Sequence, residues 1–171
     1  ALQSLAVAQG TNSDFTATLT DACVTYVNGN NAFVEDATGG VLVYNSNHGL
    51  HAGDKINGTV TGVITMYGGF AEGTTFNVSA ATVTAAQGVT STPITLDKLK
   101  KSFNRYVSCM IKLEGVTLDA DLGSNRNANV KQGEETLSAY AKVKNTVTIN
   151  KDVNGDLICF PCYNNSIEKP Q

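Results

Sequence analysis

Residues 157–164 read Leu-Ile-Cys-Phe-Pro-Cys-Tyr-Asn, and the Cys159-x-x-Cys162 pair is the first feature of this chain that could do chemistry. Cysteines at that spacing serve thiol–disulfide exchange, supply half of a zinc site, or simply pack in a strand. Exchange needs a lowered thiol pKa, which a helix N-terminus provides. Here Tyr163-Asn164-Asn165 follow, which read as a turn rather than a helix. In an extended strand, residues three apart lie about 10 Å apart at Cα, too far for a disulfide. Pro161 marks an edge or a bulge, which could bring the sulfurs closer and leaves a bridge open. A zinc site would need Cys23 or Cys109 to converge on the pair. The expectation is a strand with two thiols.

Other candidate groups are sparse. His48 and His51, with Asp54 nearby, form a His-x-x-His in a loop. A catalytic metal site needs a third protein ligand, and these read as solvated loop residues. Glu35 and Asp36 are sequence neighbours on opposite strand faces, so they cannot work as an acid/base couple. No serine sits in Gly-x-Ser-x-Gly, and Gly39-Gly40 opens a strand rather than a phosphate-binding helix. No catalytic residue, metal or cofactor is expected.

The elements that position these residues follow from composition. The 171 residues include 16 Gly and only 16% charged side chains. Helix formers are scarce and Val and Thr abundant, which favours strands. No apolar run reaches the length of about 18 residues that a membrane helix needs. The opening Ala-Leu-Gln-Ser carries no initiator Met or leader pattern and reads as a trimmed piece of a longer protein or as a mature chain. Net charge is −3, unevenly divided. Residues 1–90 hold one lysine against six carboxylates, and 91–171 hold 11 cations against nine.

The chain also repeats itself. Ala32–Tyr44 aligns without a gap on Ala128–Tyr140, sharing the Ala, a Val and the final Tyr. Upstream, Phe15–Val27 lies over Val107–Asp119. Leu2/Leu5 and Leu96/Leu99 each begin a short amphipathic helix. Downstream, Ile56–Gly69 lies over Val153–Asn165, which places the cysteine pair in the strand equivalent to Val63–Met66. Residues 85–93 read as a linker stopped by Pro93. Two units are expected, 1–90 and 91–171, each a short helix, a long strand, a hairpin and further strands.

These motifs resemble the OB-fold domains repeated in secreted and surface proteins of gut bacteria. The resemblance rests on Glu35-Asp36-x-Thr38-Gly39-Gly40, on Ala52-Gly53-Asp54-Lys55-Ile56-x-Gly58, and on Tyr67-Gly68. It covers most of the first half and is looser in the second, where Glu134-Glu135-Thr136 replaces Thr-Gly-Gly. It implies an all-β chain with short helices, arranged as two tandem five-stranded OB-fold barrels. Such barrels bind oligonucleotides or oligosaccharides on the strand 2–3 face. The resemblance also implies an extracytoplasmic place, periplasmic or at the cell surface, a lipid anchor outside this sequence being one way to hold it there.

Period-two alternation assigns the faces. Val34, Val41 and Val43, with Val130, Leu137 and Ala139, are expected inside. Phe33, Glu35, Leu42 and Tyr44 are then outward in the first unit, and Asn129, Lys131, Ser138 and Tyr140 in the second. Exposed aromatics there would stack on a sugar or a base; alternatively they pack under the helix or between the barrels. Nucleic-acid affinity rests on phosphate neutralisation, which the acidic first unit opposes. Arg126, Lys131, Lys142 and Lys144 could contribute in the second. The expected function is a non-catalytic binding or scaffold module for an oligosaccharide or protein partner. Single-stranded nucleic acid is the alternative.

Overall fold

The computed structural model describes residues 1–6, 12–85, 87–123, 127–140 and 155–162. In chain order the elements are α1 (Leu2–Ala6), β1 (Ser13–Asn28), β2 (Asn31–Glu35), β3 (Gly40–Tyr44), β4 (Lys55–Tyr67), β5 (Phe70–Asn77), β6 (Ala81–Thr84), β7 (Thr92–Pro93), α2 (Leu96–Lys101), α3 (Phe103–Tyr106), β8 (Ile111–Leu118), β9 (Asn127–Gln132), β10 (Glu135–Tyr140) and β11 (Gly155–Cys159). They fall into two compact units. The first comprises Ala1–Ser91, Ser102–Met110 and the chain from Phe160; the second comprises Thr92–Lys101 and Ile111–Cys159.

The first unit is a closed five-stranded barrel. Its strands run in the order β1-β2-β3-β5-β4, and β4 pairs back onto β1. All pairings are antiparallel except β3 with β5. One strand can serve two neighbours because β1 is 16 residues long. Its N-terminal part pairs with β4 and its C-terminal part with β2, the register shifting between Leu19 and Ala22. Such a bulge bends a strand enough to turn a barrel corner. Asp21 sits in it at φ 48. Its main-chain N–H donates to Asn57 Oδ1 at 2.8 Å, and Asn57 Nδ2 donates back to Asp21 Oδ1 at 3.2 Å.

Leu19, Val24, Val34, Val41, Val43, Ile56, Val60 and Ile64 fill the barrel, and Leu2 of α1 joins that core. Burial of these side chains, all drawn from residues 2–76, is the main force closing the sheet. β6 pairs with the start of β4 outside the closed ring.

The second unit is mostly β but open among the described residues. Its path is β10-β9-β8-β11, with the short β7 alongside β8 in parallel. That order repeats β3-β2-β1-β4 of the first unit, with the same antiparallel pairings. A second closed barrel, expected from the repeat, is not shown among the described residues. Closure would need a strand joining β10 to β11, and none is among the described residues. Leu96 and Leu99 of α2 are buried, and Leu96 N–H donates to Gln132 Oε1 at 2.7 Å. Arg126, Lys142 and Lys144, expected beside this unit's face, lie outside the described residues.

Candidate functional site

In the first unit, Phe33 and Leu42 do point away from the barrel core, as the alternation requires. They do not lie open to solvent. Phe33 is 7% exposed and Leu42 0%. Together with Ala6 and Val107 they form a separate buried cluster, flanked by Phe103 and Phe160. Phe160 stacks on Phe33 with ring centroids 4.0 Å apart and planes at 24°. Tyr26 closes the side, 5.7 Å from Phe160 and 6.4 Å from Phe33. The outer face of β2 and β3 is thus covered by this unit's own residues 102–110 and 160–162. Tyr44, at the end of β3, is 44% exposed.

The Glu-Asp-x-Thr-Gly-Gly motif builds the hairpin tip beneath this cover. Asp36 Oδ1 accepts from Thr38 N–H at 2.8 Å, the Thr38 hydroxyl at 2.6 Å and Gly39 N–H at 3.2 Å. Its Oδ2 accepts from Leu2 N–H at 3.2 Å, which fastens α1 to the hairpin. Burial pushes this carboxyl up, but the hydrogen bonds from Thr38 and Leu2 outweigh it and leave the pKa below its ordinary value. The two glycines are required by close approach. A Cβ on Gly39 would lie 2.8 Å from Gln3 Cβ, and one on Gly40 would lie 2.6 Å from the Ser108 carbonyl oxygen.

Glu35 is half-buried, and its Oε2 accepts from Met110 N–H at 2.8 Å. Burial raises its pKa, opposed by that hydrogen bond, by Cys109 and by the Arg105 charge. Burial, reinforced by the Glu35 charge, pushes the Cys109 thiol up to about 12, so it is not a nucleophile at neutral pH. Because the folded carboxyl binds its proton more tightly than the unfolded one, Glu35 costs stability once ionised. That cost appears as pH rises from the unfolded pKa through the raised folded pKa. Glu35→Gln keeps an oxygen acceptor for Met110 and removes the charge. We expect the variant to gain stability over the wild type in that window and to hold the gain at neutral pH, measured by urea unfolding from pH 4 to 8.

The second unit presents a different surface. On β9 and β10, Asn127, Asn129, Lys131, Thr136, Ser138 and Tyr140 are all exposed, while the alternate residues are buried or half-buried. Three cross-strand pairs form a ladder: Asn127 with Tyr140, Asn129 with Ser138, and Lys131 with Thr136. Tyr140 is 54% exposed. Asp119 fixes the middle rung, accepting from Asn129 N–H at 2.6 Å and from Nδ2 at 2.7 Å. These bonds hold the Asp119 carboxyl below its ordinary pKa. They engage one of the two Nδ2 hydrogens and hold the Asn129 amide in place.

Comparison with protein-family models, curated proteins and solved structures finds no match.

The remaining candidates take structural roles. His48 Nδ1 accepts from Leu50 N–H at 3.0 Å, so its Nε2 donates to the Gly29 carbonyl, also 3.0 Å away. Asp54 accepts from His51 N–H at 2.9 Å, and main-chain bonds between residues 53–54 and Val24 dock the loop on β1. Among the described residues no cluster of His, Cys, Asp or Glu could hold a metal ion. A cleft of about 200 Å³ on the outer side of β1 is lined by Asp21, Cys23, Glu35, Asp36 and Lys55, among others. Its three carboxylates already accept from Asn57, Met110 and the Asp36–Gly39 turn. The four cysteines are thiols.

The alternation of Phe33 and Leu42 gave their direction correctly but not their cover. A signal for the cover was present. Ala32-Phe33-Val34 and Val41-Leu42-Val43 are continuous apolar runs, the mark of strands buried on both faces. The second copy reads Asn-Ala-Asn-Val and Leu-Ser-Ala-Tyr, the mark of strands buried on one.

Proposed function

We propose that this chain is a non-catalytic binding module of OB-fold type, whose ligand-facing surface is the β9–β10 ladder of the second unit and whose ligand is an oligosaccharide. The strand order β1-β2-β3-β5-β4 with a parallel β3–β5 pairing supports the OB-fold reading of the first unit. The matching order β10-β9-β8-β11 supports a common origin for the second.

One observation carries the functional reading. Six polar or aromatic side chains stand exposed in three cross-strand rungs, with one aromatic ring among them. A pyranose ring needs an apolar platform and neighbouring hydroxyl partners. Tyr140 offers the first, and Asn127, Asn129 and Ser138 offer the second. The first unit contributes scaffold, because its own equivalent face is covered by Phe160 and Val107.

The test is a glycan array followed by titration of any hit. Tyr140→Ala is expected to weaken binding about tenfold, equivalent to ~1.4 kcal/mol, with unfolding unchanged. A wild-type chain that binds no glycan removes the sugar reading. Lys131, on the same exposed face but two rungs from Tyr140, favours a second reading, single-stranded nucleic acid, since a cation and a stacking ring are what such a strand uses. Binding of an oligo-dT probe that weakens steeply with salt would select it.

A further inference from the structure

The residue covering the first unit's outer face stands between two cysteines. Phe160 and Pro161 are the central residues of Cys159-Phe160-Pro161-Cys162. Both cysteines are thiols, and residues 160–162 carry no turn or bend. Two contacts seat this stretch on the first unit. Phe160 stacks on Phe33 at 4.0 Å, and Ser108 N–H donates to the Pro161 carbonyl at 2.7 Å. Phe160 is only half-buried, and Cys162 is exposed and accessible to a reagent.

We propose that Cys159 and Cys162 form a redox gate for the outer face of β2 and β3. A disulfide requires Cα atoms about 4.4–6.8 Å apart, whereas residues three apart in unbent chain lie about 10 Å apart. Closing the bridge therefore folds Phe160 and Pro161 into the middle of a tight turn. Neither a 4.0 Å ring stack nor a 2.7 Å hydrogen bond survives a contraction of several ångströms. The oxidised chain draws Phe160 off Phe33 and uncovers the part of the face that this ring covers, around Phe33 and Tyr26. The reduced chain keeps it covered. Pro161 favours the reduced form, because proline in the third position of a four-residue turn excludes the common trans turn types.

The oxidant is a small-molecule disulfide. The Cys162 thiolate attacks one of its sulfurs and releases one thiol. The Cys159 thiolate then attacks the mixed disulfide and releases the second. Two electrons pass to the reagent, and the two protons lost by the cysteines end on the two thiols released.

The full chain is incubated with reduced or with oxidised glutathione, then mapped by peptide mass spectrometry and by methyl NMR. A Cys159–Cys162 bridge is expected with oxidised glutathione. The methyl signals of Leu42, Val107 and Ala6, which share the cluster with Phe33, are expected to shift with it. Cys159→Ser/Cys162→Ser should show the reduced spectrum under both conditions. Phe160→Ala should show the shifted spectrum under both. No bridge between these two residues, or a bridge that leaves the Leu42 signals in place, overturns the gate. The comparison of wild type with the serine variant decides the matter even if Phe160→Ala does not fold. Neither readout uses a sugar, so the outcome is independent of the ligand proposed for β9 and β10.

Discussion

Asp36→Ala is expected to lower the unfolding free energy by about 2–4 kcal/mol, since hydrogen bonds to a charged group contribute about 1.5–3 kcal/mol each and do not add fully. The carboxylate collects three donors on Oδ1 and Leu2 N–H on Oδ2. Its loss releases the hairpin tip and the fastening of α1 together. Leu2 is fully buried in the barrel core, so loosening α1 also unseats an apolar plug. Urea unfolding followed by circular dichroism reads the change. The pH dependence gives a second signature. The folded pKa of Asp36 is depressed, so its stabilisation is present above the unfolded carboxylate pKa of about 3.9 and is lost as pH falls through the folded value. The alanine variant should lose less stability on acidification than the wild type. Asp36→Asn keeps one acceptor oxygen and should fall between the two. A wild-type-like unfolding midpoint for Asp36→Ala would show that the turn holds without its carboxylate.

Phe33→Ala is expected to cost about 3–4 kcal/mol, the range for removing a well-packed phenylalanine. The ring is stacked on Phe160, meets Tyr26 and shares a buried cluster with Leu42. Neither Phe160 nor Val107 can follow it inward, because β2 is backed by the barrel core through Val34. Phe33→Leu fills more of the volume and should cost less than about 1.5 kcal/mol. Both are read by denaturant unfolding. A Phe33→Ala chain as stable as the wild type would mean that the cover contributes nothing and the face is effectively open.

Much of the fold was legible because the relevant signals are local. The period-two pattern of β9 and β10 gave their buried and exposed faces, and the repeat of Ala32–Tyr44 in Ala128–Tyr140 gave the equivalence of β2–β3 with β9–β10. Leu2/Leu5 and Leu96/Leu99 marked the short helices. The cover on the first unit was not legible in the same way. It depends on Val107 and Phe160 meeting Phe33 and Leu42 across separations of more than 60 residues, which no periodicity encodes. The function of the two glycines in the hairpin motif was equally hidden. Gly39 is small because Gln3 lies against it, and Gly40 because the Ser108 carbonyl does. The repeat carries less information for the rest of the second sheet, since the Ala52–Gly58 block has no close counterpart in the second copy.

The completion of the first unit by Ser102–Met110 and by Phe160 has a consequence for biosynthesis. When Ser91 has left the ribosome, every strand of the barrel has been made, yet Phe33 and Leu42 still lack their cover. Phe160 follows roughly 70 residues later, a delay on the order of 3–14 s at 5–20 residues per second. During that interval the nascent chain carries a sticky apolar strip on an otherwise finished barrel, a natural holding point for a chaperone. A recombinant fragment ending at residue 91 would carry the same strip permanently, and low solubility is its expected fate.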